Sequence, residues 1–224
     1  MQLKHHFEAL DCSSESVLER KQRKNSKGEE DIFDQIDMIT NQTSSLITDE
    51  KPLIIVDASN VAMRHGKNSF FSVRGIQVVV EYWQKNGHKV VCFLPDYLFS
   101  HDQVNLKKKL SQMNIKEFKA SQMPDNVSLL NNLAAKGFVV KTPPQDYDDS
   151  YSIQYAKRTH GYLVTNDKFR DYLEKTKDPK DKRWIKDHSI SFTFNADEFL
   201  PNPDCKLFQR FAYEEYKHYP LDQI

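Results

Sequence analysis

The stretch "PLIIVDASNVAMRHG", residues 52–66, decides how the chain is read. Leu53, Ile54, Ile55 and Val56 make a short, unbroken apolar run, the pattern of a strand covered on both faces in a parallel sheet. The run stops on a charge, Asp57, and Asn60 follows three residues later. A core strand ending in this way delivers a carboxylate to the edge of its sheet.

Downstream, strands alternate with helices. Residues 58–72, "ASNVAMRHGKNSFFS", read as a loop. "VRGIQVVVEYWQKNG" (73–87) places Ile76, Val79, Val80 and Trp83 on one helix face and closes on Gly87, a natural helix stop. "KVVCFLPD" (89–96) is a strand, residues 103–112 a Lys-rich helix, "SLLNNLAAKG" (128–137) a helix and "FVVKTPP" (138–144) a strand. "DYDDSYSIQYAKRTHG" (146–161) is a helix and "YLVTND" (162–167) a strand, followed by a helical segment from Lys168 and a last strand, "SISFTF" (189–194). Strand, helix, strand in repetition predicts an α/β fold with a mostly parallel central sheet and helices on both faces.

In such sheets the functional crevice lies beyond the carboxyl ends of the strands. Asp57 and Asp167 both end strands, and Asp148 and Asp149 open the helix after "FVVKTPPQ", so four acids are expected on one rim. Each has an ordinary explanation alone, as a helix cap, a turn residue or a complement to a helix N-terminus. Crowded together they repel and raise one another's pKa unless a cation sits among them. Oxygen ligands without His or Cys suit Mg²⁺ or Mn²⁺, and carboxylate-held ions of this kind activate water for phosphoryl displacement. Nuclease chemistry is the expectation. Arg64, His65, Lys67, Arg74, Lys168, Arg170, Lys182 and Arg183 then become candidates for a phosphate backbone, and Trp184 for stacking a base.

Charge is unevenly spread over the 224 residues, although the formal net charge is zero. Residues 1–50 hold 11 acidic and 6 basic side chains, leaving 26 basic and 21 acidic in the remainder. An acidic leader with one short amphipathic helix (29–40) is therefore expected ahead of a mildly basic body, with a helical tail at 209–224. Apolar runs never approach the roughly 20 residues of a membrane span, and the N-terminal residues lack a continuous apolar signal segment. The expected setting is the cytoplasm or nucleus. Cys12, Cys92 and Cys205 are single and scattered, which excludes a disulfide framework or a cysteine-rich zinc site within the sequence; Cys92 reads as a small core residue.

"VDASNVAMRHG", "FSVRGI", "YDDSY", "VTNDKFRDY" and "FTFNADEFLPNPD", in this order, resemble the NYN-type PIN nuclease domain of the Regnase (MCPIP) ribonucleases over residues 51–208. The resemblance implies a PIN-like three-layer α/β/α fold and a Mg²⁺-dependent endoribonuclease acting on single-stranded or stem-loop RNA in mRNA turnover. It implies that Asp57, Asp148 or Asp149, and Asp167 bind metal, with Asp171 a supporting carboxylate and Asn60 an orienting amide. Three departures stand out. Ala58 replaces a glycine, the basic loop before the paired acids is shortened to "TPPQD", and the cysteines of the adjoining CCCH zinc finger are missing. RNA capture is then expected from the domain itself, from a homodimer, or from an RNA-binding partner.

Two rival enzyme folds fail on single positions. A haloacid-dehalogenase-like phosphatase needs a second acid where Ser59 stands, and a dinucleotide-binding domain needs glycines at its first turn, which "DASNVAMRHG" does not supply before Gly66. The remaining alternative is a silent RNA-binding or protein-interaction module, which has no need for mutually repelling carboxylates.

Overall fold

The structure, a computed structural model, describes residues 33, 34, 37, 51–100, 102, 122–142 and 148–210, with side chains at 148–150 excepted. The chain divides into two units, 1–42 and 43–224. In the first, Phe33, Asp34 and Asp37 are helical, within the expected amphipathic segment. The Lys-rich segment 103–112 and the tail beyond Arg210 lie outside the described residues.

The second unit is built on five parallel strands: β1 (Ile54–Val56), β2 (Val90–Pro95), β3 (Val139–Thr142), β4 (Tyr162–Val164) and β5 (Ser189–Ile190). Their spatial order is β3-β2-β1-β4-β5. The chain moves outward from β1 to β3, then jumps back to lay β4 on the other side of β1. Because parallel crossovers are right-handed, this reversal puts the connecting helices on opposite faces. Helices α1 (Ala58–His65), α2 (Val73–Lys85) and α3 (Val127–Ala135) precede the jump, and α4 (Asp148–Thr159) makes it. The result is the three-layer α/β/α arrangement expected from the sequence.

Alternating side chains of the strands feed the two layers. Ile54, Val56, Val90, Cys92 and Leu94 share one core cluster with Ile76, Val79 and Trp83 of α2. Ile55, Val91, Phe93 and Leu163 are buried outside that cluster, and Phe93 meets Tyr151 and Tyr155 of α4 at centroid distances of 6.4 and 5.7 Å. This double burial is why the strands read as continuous apolar runs.

Three details differ from the sequence expectation. Residues 58–65 form α1 in place of a loop, capped by Asp57, whose carboxylate accepts from Asn60 N at 3.0 Å. A good N-cap and basic residues in the last turn, Arg64 and His65, were the available signals. The segment "SISFTF" breaks in two, because only β5 joins the parallel sheet; β6 (Phe192–Asn195) pairs with β7 (Glu198–Pro201) as a separate antiparallel hairpin. Phe199 of this hairpin packs on Tyr82 of α2 at 5.1 Å. The helical segment from Lys168 is two helices, α5 (Arg170–Thr176) and α6 (Pro179–His188), the second restarted by Asp178 as cap and Pro179 at its first turn. A short α7 (Lys206–Arg210) closes the described chain. No helix among the described residues is long and apolar enough to cross a membrane.

Candidate active site

The reversal of strand order lies between β1 and β4, where open α/β sheets place their ligand crevice. Register Val56↔Val164 makes Asp57 level with Thr165, and Asp57 N extends the ladder to Val164 O at 3.1 Å. Both oxygens of the half-buried Asp57 carboxylate receive one internal donor. Oδ1 accepts from Asn60 N at 3.0 Å and Oδ2 from Thr165 Oγ1 at 2.7 Å. The same buried Thr165 oxygen accepts from Asp167 N at 3.0 Å, so one hydroxyl joins the two strand-end acids. Burial pushes the Asp57 carboxyl above its ordinary range; the Thr165 and Asn60 hydrogen bonds act against this and the charge of Asp167 adds to it.

The loop carrying Asp167 is held from two further sides. Asn60 Oδ1 accepts from Asn166 N at 3.1 Å. The Asn166 amide reads the backbone of Phe192 in both directions, donating to its carbonyl at 3.0 Å and accepting from its N–H at 3.0 Å. Asp167 Oδ1 accepts from Phe169 N at 2.7 Å, with Phe169 buried in a left-handed conformation (φ 49°). That conformation is costly for a bulky residue, and the charge-assisted bond together with ring burial holds it.

Asp148 and Asp149 occupy the first turn of α4, which begins after the carboxyl end of β3; their side chains lie outside the described set. Asp171 is exposed in the first turn of α5. Among the described residues no group of three or more His, Cys, Asp or Glu side chains is gathered to hold a metal ion. Asp57 and Asp167 offer oxygen alone, and each Asp57 oxygen retains acceptor capacity beyond its single internal donor. That donor chemistry fits a hard divalent cation.

Residues 50–210 match the family model described as the Zc3h12a-like ribonuclease NYN domain. The chain belongs to this family. Two solved structures of the Arabidopsis thaliana nuclear protein-only RNase P 2 (PRORP2) are similar to it, each at 17% identity and a TM-score of 0.50. Each match covers 86% of this chain and 37% of PRORP2, so the chain spans well under half the length of that protein. At this identity the likeness is one of fold.

The basic candidates of this NYN domain divide into two sets. Arg64, Lys67, Lys168, Arg170, Lys182 and Arg183 are exposed, Arg183 having Asp187 at 3.8 Å. His65 and Arg74 instead converge on one carboxylate: His65 Nε2 lies 3.1 Å from Asp197 Oδ1, and Arg74 Nε donates to Asp197 Oδ2 at 3.1 Å. His65 Nδ1 also lies 2.8 Å from the buried Ser72 hydroxyl. Partial burial would raise Asp197, but Arg74 and His65 hold it below the usual carboxylate range. Gly75 makes room for this cluster, since a Cβ there would come within 2.4 Å of His65 Cβ. Trp184 is half-buried and stacks on His188 with centroids 4.2 Å apart.

Sequence reasoning passed over Thr165, Asn166 and Asp197. The first two lay beside Asp167 in "TND", where polar residues within an apolar strand end were a usable signal. Asp197 carried none, because its partners are 132 and 123 residues away.

Proposed function

We propose that this NYN domain is a divalent-metal-dependent endoribonuclease acting on single-stranded or stem-loop RNA. The observation that carries the reading is the coupling of Asp57 and Asp167 at the strand-order reversal, through one hydroxyl and through charge. Asp57 and Asp167, with Asp148 or Asp149 from the first turn of α4, would hold Mg²⁺ or Mn²⁺. When bound, such an ion supplies a water of lowered pKa and compensates charge on the phosphodiester. Thr165 Oγ1, Asn60 N and Phe169 N fix the carboxylates from the protein side and leave outward lone pairs free. Asn60 braces the 165–167 turn through Asn166 N, which makes it an orienting group. Asp171, in the first turn of α5, would serve as a supporting carboxylate. Lys168 and Arg170, exposed on either side of Phe169, would steer the RNA backbone.

The biological reading is mRNA turnover in the cytoplasm, with RNA presented by the domain itself, a second copy, or a partner. The deciding experiment incubates labelled single-stranded and hairpin RNAs with the purified chain in Mg²⁺ or Mn²⁺, in EDTA, and with Asp57→Asn. Cleavage in the first condition alone supports the reading. Cleavage at wild-type rate by the variant, or RNA bound but never cut in Mg²⁺ or Mn²⁺, overturns it, the latter in favour of a silent RNA-binding module.

A further inference from the structure

The turn between α1 and α2 exposes an aromatic ring that packing does not explain. Phe70 is the large apolar side chain most open to water among the described residues, 46% exposed, whereas its neighbour Phe71 is buried at 2%. The turn is tightly tied. Gly66 N donates to Ala62 O at 3.0 Å, Lys67 N to Arg64 O at 3.1 Å, Asn68 N to Met63 O at 2.7 Å and Ser69 N to Gly66 O at 2.9 Å. Lys67 and Asn68 both adopt left-handed angles, φ 54° and 59°. A Cβ at Gly66 would meet the Phe70 carbonyl oxygen at 1.9 Å, so the chain can fold back here only over a glycine. Local strain of this kind, held by a dense set of hydrogen bonds, presents Phe70 in one defined place.

The turn also leads toward the edge of the sheet that carries Asp57. Helix α2 ends just before β2 begins, so its first turn faces the carboxyl edge. The Val73 N–H there donates to Asp125 Oδ1 at 2.9 Å, and Phe71 forms a parallel bridge with Pro124 ahead of α3. The eight residues of α1 link Asp57 to the turn over about 12 Å, a distance of three to four stacked nucleotides at about 3.4 Å each. Arg64 and Lys67, on either side of Gly66, are exposed and have no acidic partner among the described residues.

We propose that Phe70 is a stacking platform for a base of single-stranded RNA, with Arg64 and Lys67 taking the adjoining phosphates. The proposal rests on the ribonuclease reading above and adds to it a residue that grips substrate a few nucleotides from the cut. An exposed ring close in sequence to two cations that lack an acidic partner among the described residues suits a base and its phosphates, each base offering a π-face whatever its identity. An apolar protein surface would ask for a broader exposed patch.

The test is fluorescence anisotropy of the full chain with end-labelled 12-nucleotide oligoadenylate and oligouridylate, in EDTA at fixed salt. Phe70→Ala and Phe70→Leu are expected to bind oligoadenylate about 5- to 100-fold more weakly, with a smaller loss on oligouridylate, while Phe70→Tyr retains wild-type affinity. The aromatic requirement separates stacking from bulk, since leucine preserves the apolar volume. Arg64→Gln and Lys67→Gln are each expected to reduce the salt slope of binding by about one, which Phe70→Leu leaves unchanged. Wild-type affinity in both Phe70→Ala and Phe70→Leu overturns the platform while a metal-dependent cleavage by the wild type leaves the ribonuclease reading standing. A wild type that neither binds nor cuts RNA overturns both.

Discussion

Thr165 donates its hydroxyl to Asp57 Oδ2 over 2.7 Å, across 108 residues of sequence. A hydrogen bond to a charged acceptor is worth roughly 1.5–3 kcal/mol, and this one also fixes which way the carboxylate faces. Thr165→Val, which keeps the shape and removes the donor, is expected to slow RNA cleavage by roughly 10- to 100-fold. Thr165→Ser is expected to restore most of the rate. Single-turnover rates for the three proteins decide the matter, and equal rates for valine and threonine would remove Thr165 from the site.

Asp57 carries a charge that the folded protein disfavours. Its folded pKa is raised, chiefly by burial, so the native state holds the proton more firmly than the unfolded chain does. Stability therefore falls as pH rises from the unfolded value through the raised folded one, and the deficit persists at neutral pH. Asp57→Asn is expected to melt above the wild type at pH 7 in EDTA, yet to lose the stabilisation that Mn²⁺ gives the wild type. Thermal melts with and without Mn²⁺ test both halves; an Asn variant that melts lower in EDTA and still responds to Mn²⁺ contradicts the assignment.

His88 sets an acid limit remote from the acids. Burial lowers it from its ordinary 6.5 to about 4, against the opposing hydrogen bond from Nδ1 to Pro52 O at 2.7 Å. The neutral ring is what folding requires, so its contribution is complete above pH 6.5 and is lost as pH falls from 6.5 through 4. The loss amounts to about 3 kcal/mol. Urea unfolding between pH 7 and 4 is expected to show this decline, and His88→Gln, which keeps a donor for Pro52, to flatten it.

Asn166 binds the acidic turn to the hairpin. Its side chain makes two hydrogen bonds with the Phe192 backbone, so Asn166→Ala is expected to cost about 2 kcal/mol at about 1 kcal/mol per bond. Hydrogen exchange is expected to rise in β6 and β7, and cleavage to fall further than stability alone dictates, because Asn60 Oδ1 loses a fixed partner in Asn166 N. Unchanged exchange at Phe192 would show that the hairpin is held by its aromatic packing alone.

Strands β1 to β4 were legible because the information is local: apolar runs covered on both faces need no distant knowledge to recognise, and an acid at the end of one is visible in the same few residues. Helix α1 was legible in principle from Asp57 as cap, but its short apolar face, Ala58, Val61 and Ala62, gave periodicity little to work with. The division of "SISFTF" between two sheets was not legible, since its alternating pattern satisfies either pairing and only the partners Val164 and Pro201 distinguish them.

What the sequence determined by itself is the set of local commitments: where strands run, where charges interrupt them, and which residue types can serve a divalent ion. What only the tertiary structure decided is which of those groups meet. Folding brought Thr165 to Asp57 and Asn166 to Phe192, and gave His65 and Arg74 to Asp197. The reason is physical: strand periodicity is written in neighbouring residues, whereas hydrogen bonds and ion pairs between distant ones depend on register and crossover, which the whole packed core settles at once.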